Sequence, residues 1–436
     1  MRFSLPLVAI FGATSSFCLA SASHGQTLPP VESEATIAPL YYGVAQVPGS
    51  DSLAEAEGEL PPTVDSTKFA ARLGTYALPP ALVGPFQSRG VTAGANESTG
   101  TALAGYVQLR NLGGAGQNLT LNVRGGENVT NAELSFIDPT IGRSQTGYAV
   151  NLFNQRSHQT VFVGGSRDVD LPNGETPWVH RLGGGVEVFR PVAPDLTVAA
   201  GVSYQRVSIR DDRFTDNVQA IDERNNSLTY SGTGQDDLLT VNLAASWDTR
   251  NDGDRSARGS RVRVGLDQSI PIGDANVAFT RLSANYLQYV PLPLFGFAKG
   301  DRTLVLNLQG GTMIGEVPPY EAFDIDSGLV RGFNDGVGTG RSFVAAAAEY
   351  RYPIANFRLF RRPIRLGGTL FVDYGSDLGS GDTILGEPAE VRGKPGEGLG
   401  YGAGLRAITP IGTARLEFAW TNEGENEVVF ELGDRF

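Results

Sequence analysis

The chain has 436 residues, with 56 glycines, 2 methionines, a single cysteine and a formal charge of −12. Hydrophobic residues make up 41% of it, yet beyond the N-terminal leader no stretch reaches the roughly 18 consecutive apolar residues of a membrane-spanning helix, so a helical membrane protein is excluded. The acidic balance also excludes general nucleic-acid binding, which needs basic surface to neutralise phosphates.

In chain order, residues 1–22 have the layout of a Sec-type export signal. Arg2 supplies the positive start, Leu5 to Leu19 the apolar core, and Ala20-Ser21-Ala22 the small-residue cleavage site. Cys18 lies inside this signal, so cleavage after Ala22 would remove thiol and disulfide chemistry. Residues 23–87 are rich in proline, alanine and acidic groups, punctuated by Pro29-Pro30, Pro61-Pro62 and Pro79-Pro80. Such a stretch buries little and is expected to be a largely disordered periplasmic extension, with at most one short helix near Ser66 to Leu73.

From residue 88 to 436 the pattern changes to short runs in which apolar and polar residues alternate, as in strands with two unlike faces. Sixteen runs begin near Val91, Gly105, Asn118, Ala132, Gln145, Leu182, Leu196, Leu239, Arg261, Thr280, Thr303, Phe343, Leu366, Leu399, Ala414 and Glu427. Leu119, Leu121 and Val123 oppose Asn118, Thr120, Asn122 and Arg124, and Leu304, Leu306 and Leu308 oppose Thr303, Asn307 and Gln309. Most runs are near the roughly 9–11 residues that a tilted strand needs to cross a bilayer. Unpaired backbone is not tolerated in lipid, so such strands must close into a barrel.

A soluble sandwich also alternates its faces, and periodicity by itself does not say which face is inside. The connections favour the membrane barrel. Long segments at 155–179, 211–237, 315–341 and 376–397 alternate with tight ones such as Pro191 to Asp195 and Thr409 to Gly412, the asymmetry of long outer loops and short periplasmic turns. The expected fold is therefore all-β, a transmembrane antiparallel barrel of about sixteen strands. Val428, Phe430, Leu432 and the terminal Phe436 share one face of the last run, with Asp434 interrupting it.

Catalytic chemistry is not legible. The histidines are His24, His158 and His180, scattered over the leader and one loop region, and there is no nucleophile elbow, phosphate loop or paired-histidine zinc motif. Asp248, Asp252 and Asp254 cluster as hard-cation ligands would, but their spacing does not match a calcium loop. No enzyme activity, catalytic residue, cofactor or metal is expected.

One succession of motifs narrows the family. Val330-Arg331-Gly332-Phe333 lies in the long segment 315–341, ahead of Gly336, Gly338 and Gly340. Glu349-Tyr350-Arg351-Tyr352-Pro353 and Phe371-Val372-Asp373-Tyr374-Gly375 occupy the next two runs. Asn111-Leu112-Gly113-Gly114, Phe136-Ile137-Asp138-Pro139 and Trp247-Asp248-Thr249-Arg250 followed by Gly259 precede them in order. Together these resemble the BamA/TamA superfamily of outer-membrane assembly and translocation barrels, the bacterial surface antigen family. The resemblance implies an extracellular loop, tipped by Val330 to Phe333, that folds back into the barrel.

Face parity puts Glu349, Arg351 and Asp373 in the lumen, because a charge facing lipid near the midplane costs roughly 2–4 kcal/mol. The resemblance implies that Arg331 pairs with Asp373, with Glu349 as second partner, through charge-assisted hydrogen bonds. Gly332 would supply a backbone turn closed to other residues.

Family members usually carry periplasmic POTRA domains, and residues 23–87 do not read as that fold, so the chain resembles the barrel-only members. The resemblance further implies a place in the outer membrane of a Gram-negative-type cell and insertion there by the barrel-assembly machinery. Its partners would be membrane lipid and unfolded outer-membrane or secreted proteins, with no nucleic acid. Three roles stay open: assistance of protein insertion or translocation at the seam between first and last strands, a passive pore or structural barrel without client handling, and a surface binding function borne by the long outer loops.

Overall fold

The computed structural model describes residues 86–96, 100–112, 116–142, 144–159, 162, 168–251, 257–273, 275–333, 336–359, 362–384, 392–409 and 412–432. The expected export signal, residues 23–85 of the proline-rich segment with the short helix expected near Ser66 to Leu73, and Phe436 lie outside these residues.

Eighteen strands are present among the described residues. The first half of the wall is β1 (Phe86–Asn96), β2 (Gly100–Leu112), β3 (Gln117–Gly126), β4 (Val129–Asp138), β5 (Gly147–Ser157), β6 (Trp178–Ala193), β7 (Leu196–Arg210) and β8 (Gln235–Asp248). It continues through β9 (Gly259–Ile270), β10 (Phe279–Pro291) and β11 (Thr303–Gly315). Two three-residue strands, β12 (Phe323–Ile325) and β13 (Gly338–Gly340), pair with each other inside the following connection. The wall resumes with β14 (Ser342–Leu359), β15 (Arg362–Ser376), β16 (Glu397–Thr409), β17 (Gly412–Thr421) and β18 (Asn426–Leu432).

The sixteen long strands form one antiparallel sheet in sequence order, closed by β1 against β18. Each corresponds to one of the sixteen alternating runs. The starts differ by several residues where alternation fades: β8 begins at Gln235 rather than Leu239 because Asp236 and Asp237 put a carboxylate on each face above the apolar band. Connections 158–177, 211–234, 316–341 and 377–396 all emerge at one end of the barrel.

Burial settles which face is which. Leu121 is 43% exposed while its neighbour Asn122 is 7% exposed, the reverse of what a sandwich core would show. Leu152, Val186, Leu243, Leu308, Val372 and Phe418 are likewise exposed, whereas Glu133, Asn242, Arg263 and Asp373 are buried. The apolar face is the outer, lipid-facing one, and the polar face lines the lumen.

The lumen departs from a uniformly polar interior at the long-loop end. Phe162, Leu171, Val179, Ile209, Phe323, Val330, Phe333 and Phe343 belong to one buried apolar cluster there. Loop residues folded between the walls bring their own apolar surface and exclude water, so wall positions facing them, such as Val179 and Ile209, are apolar too. Strand alternation does not carry this information, because it depends on what the loops place in the lumen.

Leu370 in the middle of β15 is 42% exposed on the lipid face. Leu370→Arg is expected to lower the unfolding free energy of the barrel in lipid vesicles by about 2–4 kcal/mol. Denaturant titration followed by tryptophan fluorescence measures this.

Candidate functional site: a loop locked inside the lumen

The connection between β11 and β14 is a compact lobe rather than an open loop. Pro318 and Pro319 lead into a single 3₁₀ turn, Pro319–Glu321, and pairing of β12 with β13 then cinches the base of the tip. Asp326 accepts the N–H groups of Gly328 (3.0 Å) and Leu329 (3.2 Å), a side-chain turn that starts the chain back toward the wall. Val330, Arg331, Gly332 and Phe333 follow, all buried.

Arg331 meets Asp373 of β15 through two parallel side-chain bonds, Nε to Oδ2 at 2.6 Å and Nη2 to Oδ1 at 2.9 Å. Its backbone N–H adds a third at 3.3 Å. Nη1 donates to Oε2 of Glu349 on β14 at 2.9 Å. The guanidinium also lies over the ring of Phe371, 3.4 Å from its centroid, where the π face favours a cation.

The structure adds a residue that sequence reasoning missed. Glu417 of β17 lies 3.3 Å from Nη1 through both carboxylate oxygens. Glu349 in turn accepts from Arg351 at 2.7 Å, and Glu417 from Arg415 at 3.3 Å. Three carboxylates thus bond three guanidiniums, with a fourth guanidinium, Arg406, buried beside them. Glu417 sits on the polar face of an ordinary alternating run, and the available sequence signal was its parity with Arg415.

Close approach by the tip depends on glycine. Gly332 has φ +97°, and a Cβ there would stand 2.9 Å from the Thr421 methyl group. On the facing strand a Cβ at Gly400 would collide with the Arg331 carbonyl, and one at Gly398 with the Phe333 ring. The Gly332 N–H donates to Oε2 of Glu427 at 3.2 Å, so the tip also touches β18.

A second anchor holds the same lobe on another arc of the wall. Glu321 receives Arg181 of β6 at 2.7 Å and Arg281 of β10 at 2.6 Å. Arg281 also donates to the Glu321 carbonyl at 2.7 Å, and Arg181 to the Tyr320 carbonyl at 2.5 Å. The Tyr320 hydroxyl donates to Asp236 of β8 at 2.5 Å. Burial by itself pushes the Glu321 carboxyl up, but the two guanidiniums outweigh it and hold it below the usual carboxylate value.

The two described histidines are engaged structurally. His158 packs edge-on to Trp178 with centroids 4.1 Å apart, and burial together with the charge of Arg213 pushes it down to about 4. His180 Nε2 lies 3.1 Å from the Asp212 carbonyl. Among the described residues no three histidine, cysteine or carboxylate side chains are grouped to hold a metal ion.

Comparison with known proteins places this architecture. Residues 111–436 match the model of the Omp85 superfamily domain. The chain belongs to the Omp85 superfamily. It is 32% identical over 360 residues to Outer envelope protein 80, chloroplastic, of Oryza sativa subsp. japonica, covering 80% of this chain and 50% of the relative. It is 28% identical over 301 residues to Protein TOC75, chloroplastic, of Pisum sativum, covering 66% of this chain and 35% of the relative. The chain therefore spans about half or less of the length of these Omp85 relatives.

Among solved structures, BamA from Haemophilus ducreyi lacking POTRA domains 1-3 superposes with a TM-score of 0.56 at 15% identity, covering 80% of this chain and 69% of that one. CdiB from Escherichia coli gives 0.57 at 12% identity, covering 81% and 63%. Both structures share the fold of this chain.

Two outcomes are expected. Arg331→Ala leaves Asp373, Glu349 and Glu417 short of one buried counter-charge and should cost about 3–5 kcal/mol in barrel stability. Arg331→Lys should recover only part, because a lysine cannot make the paired bonds; denaturant titration in vesicles measures both. The depressed Glu321 carboxyl contributes stability that is present at neutral pH and lost as pH falls through and below the usual carboxylate range. Protease nicking of 316–341 should rise on acidification, and Glu321→Gln should already be nicked at neutral pH.

Proposed function

We propose that the chain is an outer-membrane barrel that assists insertion or translocation of proteins, with the β1–β18 seam as the working edge. The observation that carries this reading is the closure itself. Among the described residues Ala95↔Phe430 is the one registered pair between β1 and β18, while β17 and β18 run in register from Ala414↔Leu432 to Trp420↔Asn426. A strand edge with few backbone partners is adhesive and can accept an added strand by ordinary main-chain pairing.

Two further features support the reading. The lock reaches the seam: Gly332 bonds Glu427 on β18, and Arg331 bonds Glu417 on the strand beside it. The apolar fill at the long-loop end argues against a freely open passive pore. Clients would be unfolded outer-membrane or exported polypeptides, the surrounding partner would be lipid, and the barrel-assembly machinery would insert the barrel itself. The setting proposed is the outer membrane of a Gram-negative-type cell. The mechanism needs no cofactor or catalytic group.

Depleting the protein should lower the outer-membrane levels of other barrels, measured by quantitative proteomics of membrane fractions. Unchanged levels of all of them would leave a structural barrel without client handling. A95C/F430C, which places cysteines on the registered pair, should fail to restore those levels when oxidised and restore them after reduction.

A further inference from the structure

The end of the barrel opposite the lock carries a feature that takes no part in it. β14 outlasts its neighbour: pairing with β11 stops at Thr303↔Arg351, while pairing with β15 continues to Leu359↔Arg362. From Tyr352 onward the β14 edge facing β11 therefore lacks a strand partner, and connection 292–302 covers it. The Phe297 N–H donates to the Pro353 carbonyl at 2.8 Å, and Asn356 Nδ2 donates to the Lys299 carbonyl at 2.8 Å.

This flap is fastened to the outer wall. The Tyr350 hydroxyl accepts from the Phe295 N–H at 3.1 Å and donates to the Phe295 carbonyl at 2.9 Å. The Phe295 ring packs 5.0 Å from Tyr350 and 4.7 Å from Tyr352, and Arg302 staples the flap by donating to the Gly296 and Ala298 carbonyls. Covering an edge does not require exposed apolar groups, yet Leu294 is 66% exposed and Phe297 76% exposed.

Charge is concentrated at the same place. Residues 354–365 contain four arginines and no acid, in a chain whose net charge is −12. Arg358, Arg362 and Arg365 are exposed, as is Lys299 in the flap; alternation and register put Phe357, Leu359 and Arg362 on the lipid-facing side with Leu370, and Arg358 and Arg365 on the side of Asp373. Along the wall the order is therefore lipid-facing Leu370 and Val372, then aromatic residues, then cations. That order matches the layers of a leaflet, from acyl chain through interface to anionic headgroup.

We propose that the flap 292–302 and the β14–β15 overhang form an interfacial anchor for anionic phospholipid headgroups of the adjoining leaflet. Leu294 and Phe297 enter the acyl boundary, and Lys299 and Arg362 receive the phosphates. The anchor fixes the barrel's depth at the arc of wall that also carries Glu349 and Asp373. An acidic soluble protein would satisfy these cations but would give exposed apolar residues at bilayer level no role.

The test uses the purified full chain in nanodiscs of equal phosphatidylcholine and phosphatidylglycerol, followed by detergent extraction and native mass spectrometry of retained lipid. The wild type should keep phosphatidylglycerol over phosphatidylcholine by on the order of tenfold. K299Q/R362Q should fall to near parity while keeping the heat-modifiable gel migration of a folded barrel, and K299R/R362K should regain the preference. A wild type that retains both lipids equally, or a glutamine variant that keeps the wild-type preference, overturns the proposal. In the second case Lys299 and Arg362 would serve a protein partner instead.

Discussion

A guanidinium cannot be taken out of water without close and complete compensation, and Arg331 is compensated by carboxylates from three different wall strands. Because those carboxylates carry their own arginine neighbours, none of the charges is dispensable without leaving another exposed to a low-dielectric surrounding. The loop conformation, the glycine on the facing strand and the apolar fill above the cluster all follow from bringing this one side chain to the wall. The cluster therefore serves mainly to specify where the tip sits, and its net contribution to stability is smaller than its contacts suggest.

The Glu321 anchor gives the loop a second fixed point, on β6 and β10 rather than on β14, β15 and β17. A lobe held at two arcs braces the lumen, so the wall near the seam and the wall away from it are joined through the loop as well as around the sheet. Gly332 and Glu427 extend that bracing to the last strand. The loop thereby contacts the strand that, among the described residues, closes the barrel through one registered pair.

The outside and inside of this barrel obey different rules. Lipid-facing positions are constrained one residue at a time by the cost of polar groups in hydrocarbon. Lumenal positions are constrained by what the long connections deposit there, polar beside the lock and apolar beneath the folded loops. The opposite rim adds a third regime, where an overlong strand is capped by a flap and cations follow the aromatic residues.

The sequence by itself determined about sixteen strands with two unlike faces, because alternation has a period of two, and a family resemblance carried by Val330-Arg331-Gly332-Phe333 implied the loop that turns inward. It also indicated Asp373 and Glu349 by parity together with a family resemblance. Tertiary structure bore out that the apolar face meets lipid, which loop asymmetry and the cost of charge in lipid had indicated and periodicity, symmetric between inside and outside, had not. It also decided the parts that depend on distant strands meeting: Glu417 against Arg331, Glu321 between Arg181 and Arg281, and Glu427 under Gly332. Those pairs are separated by long stretches of chain, and the inward fold of the loop within the closed sheet brings them within bonding distance.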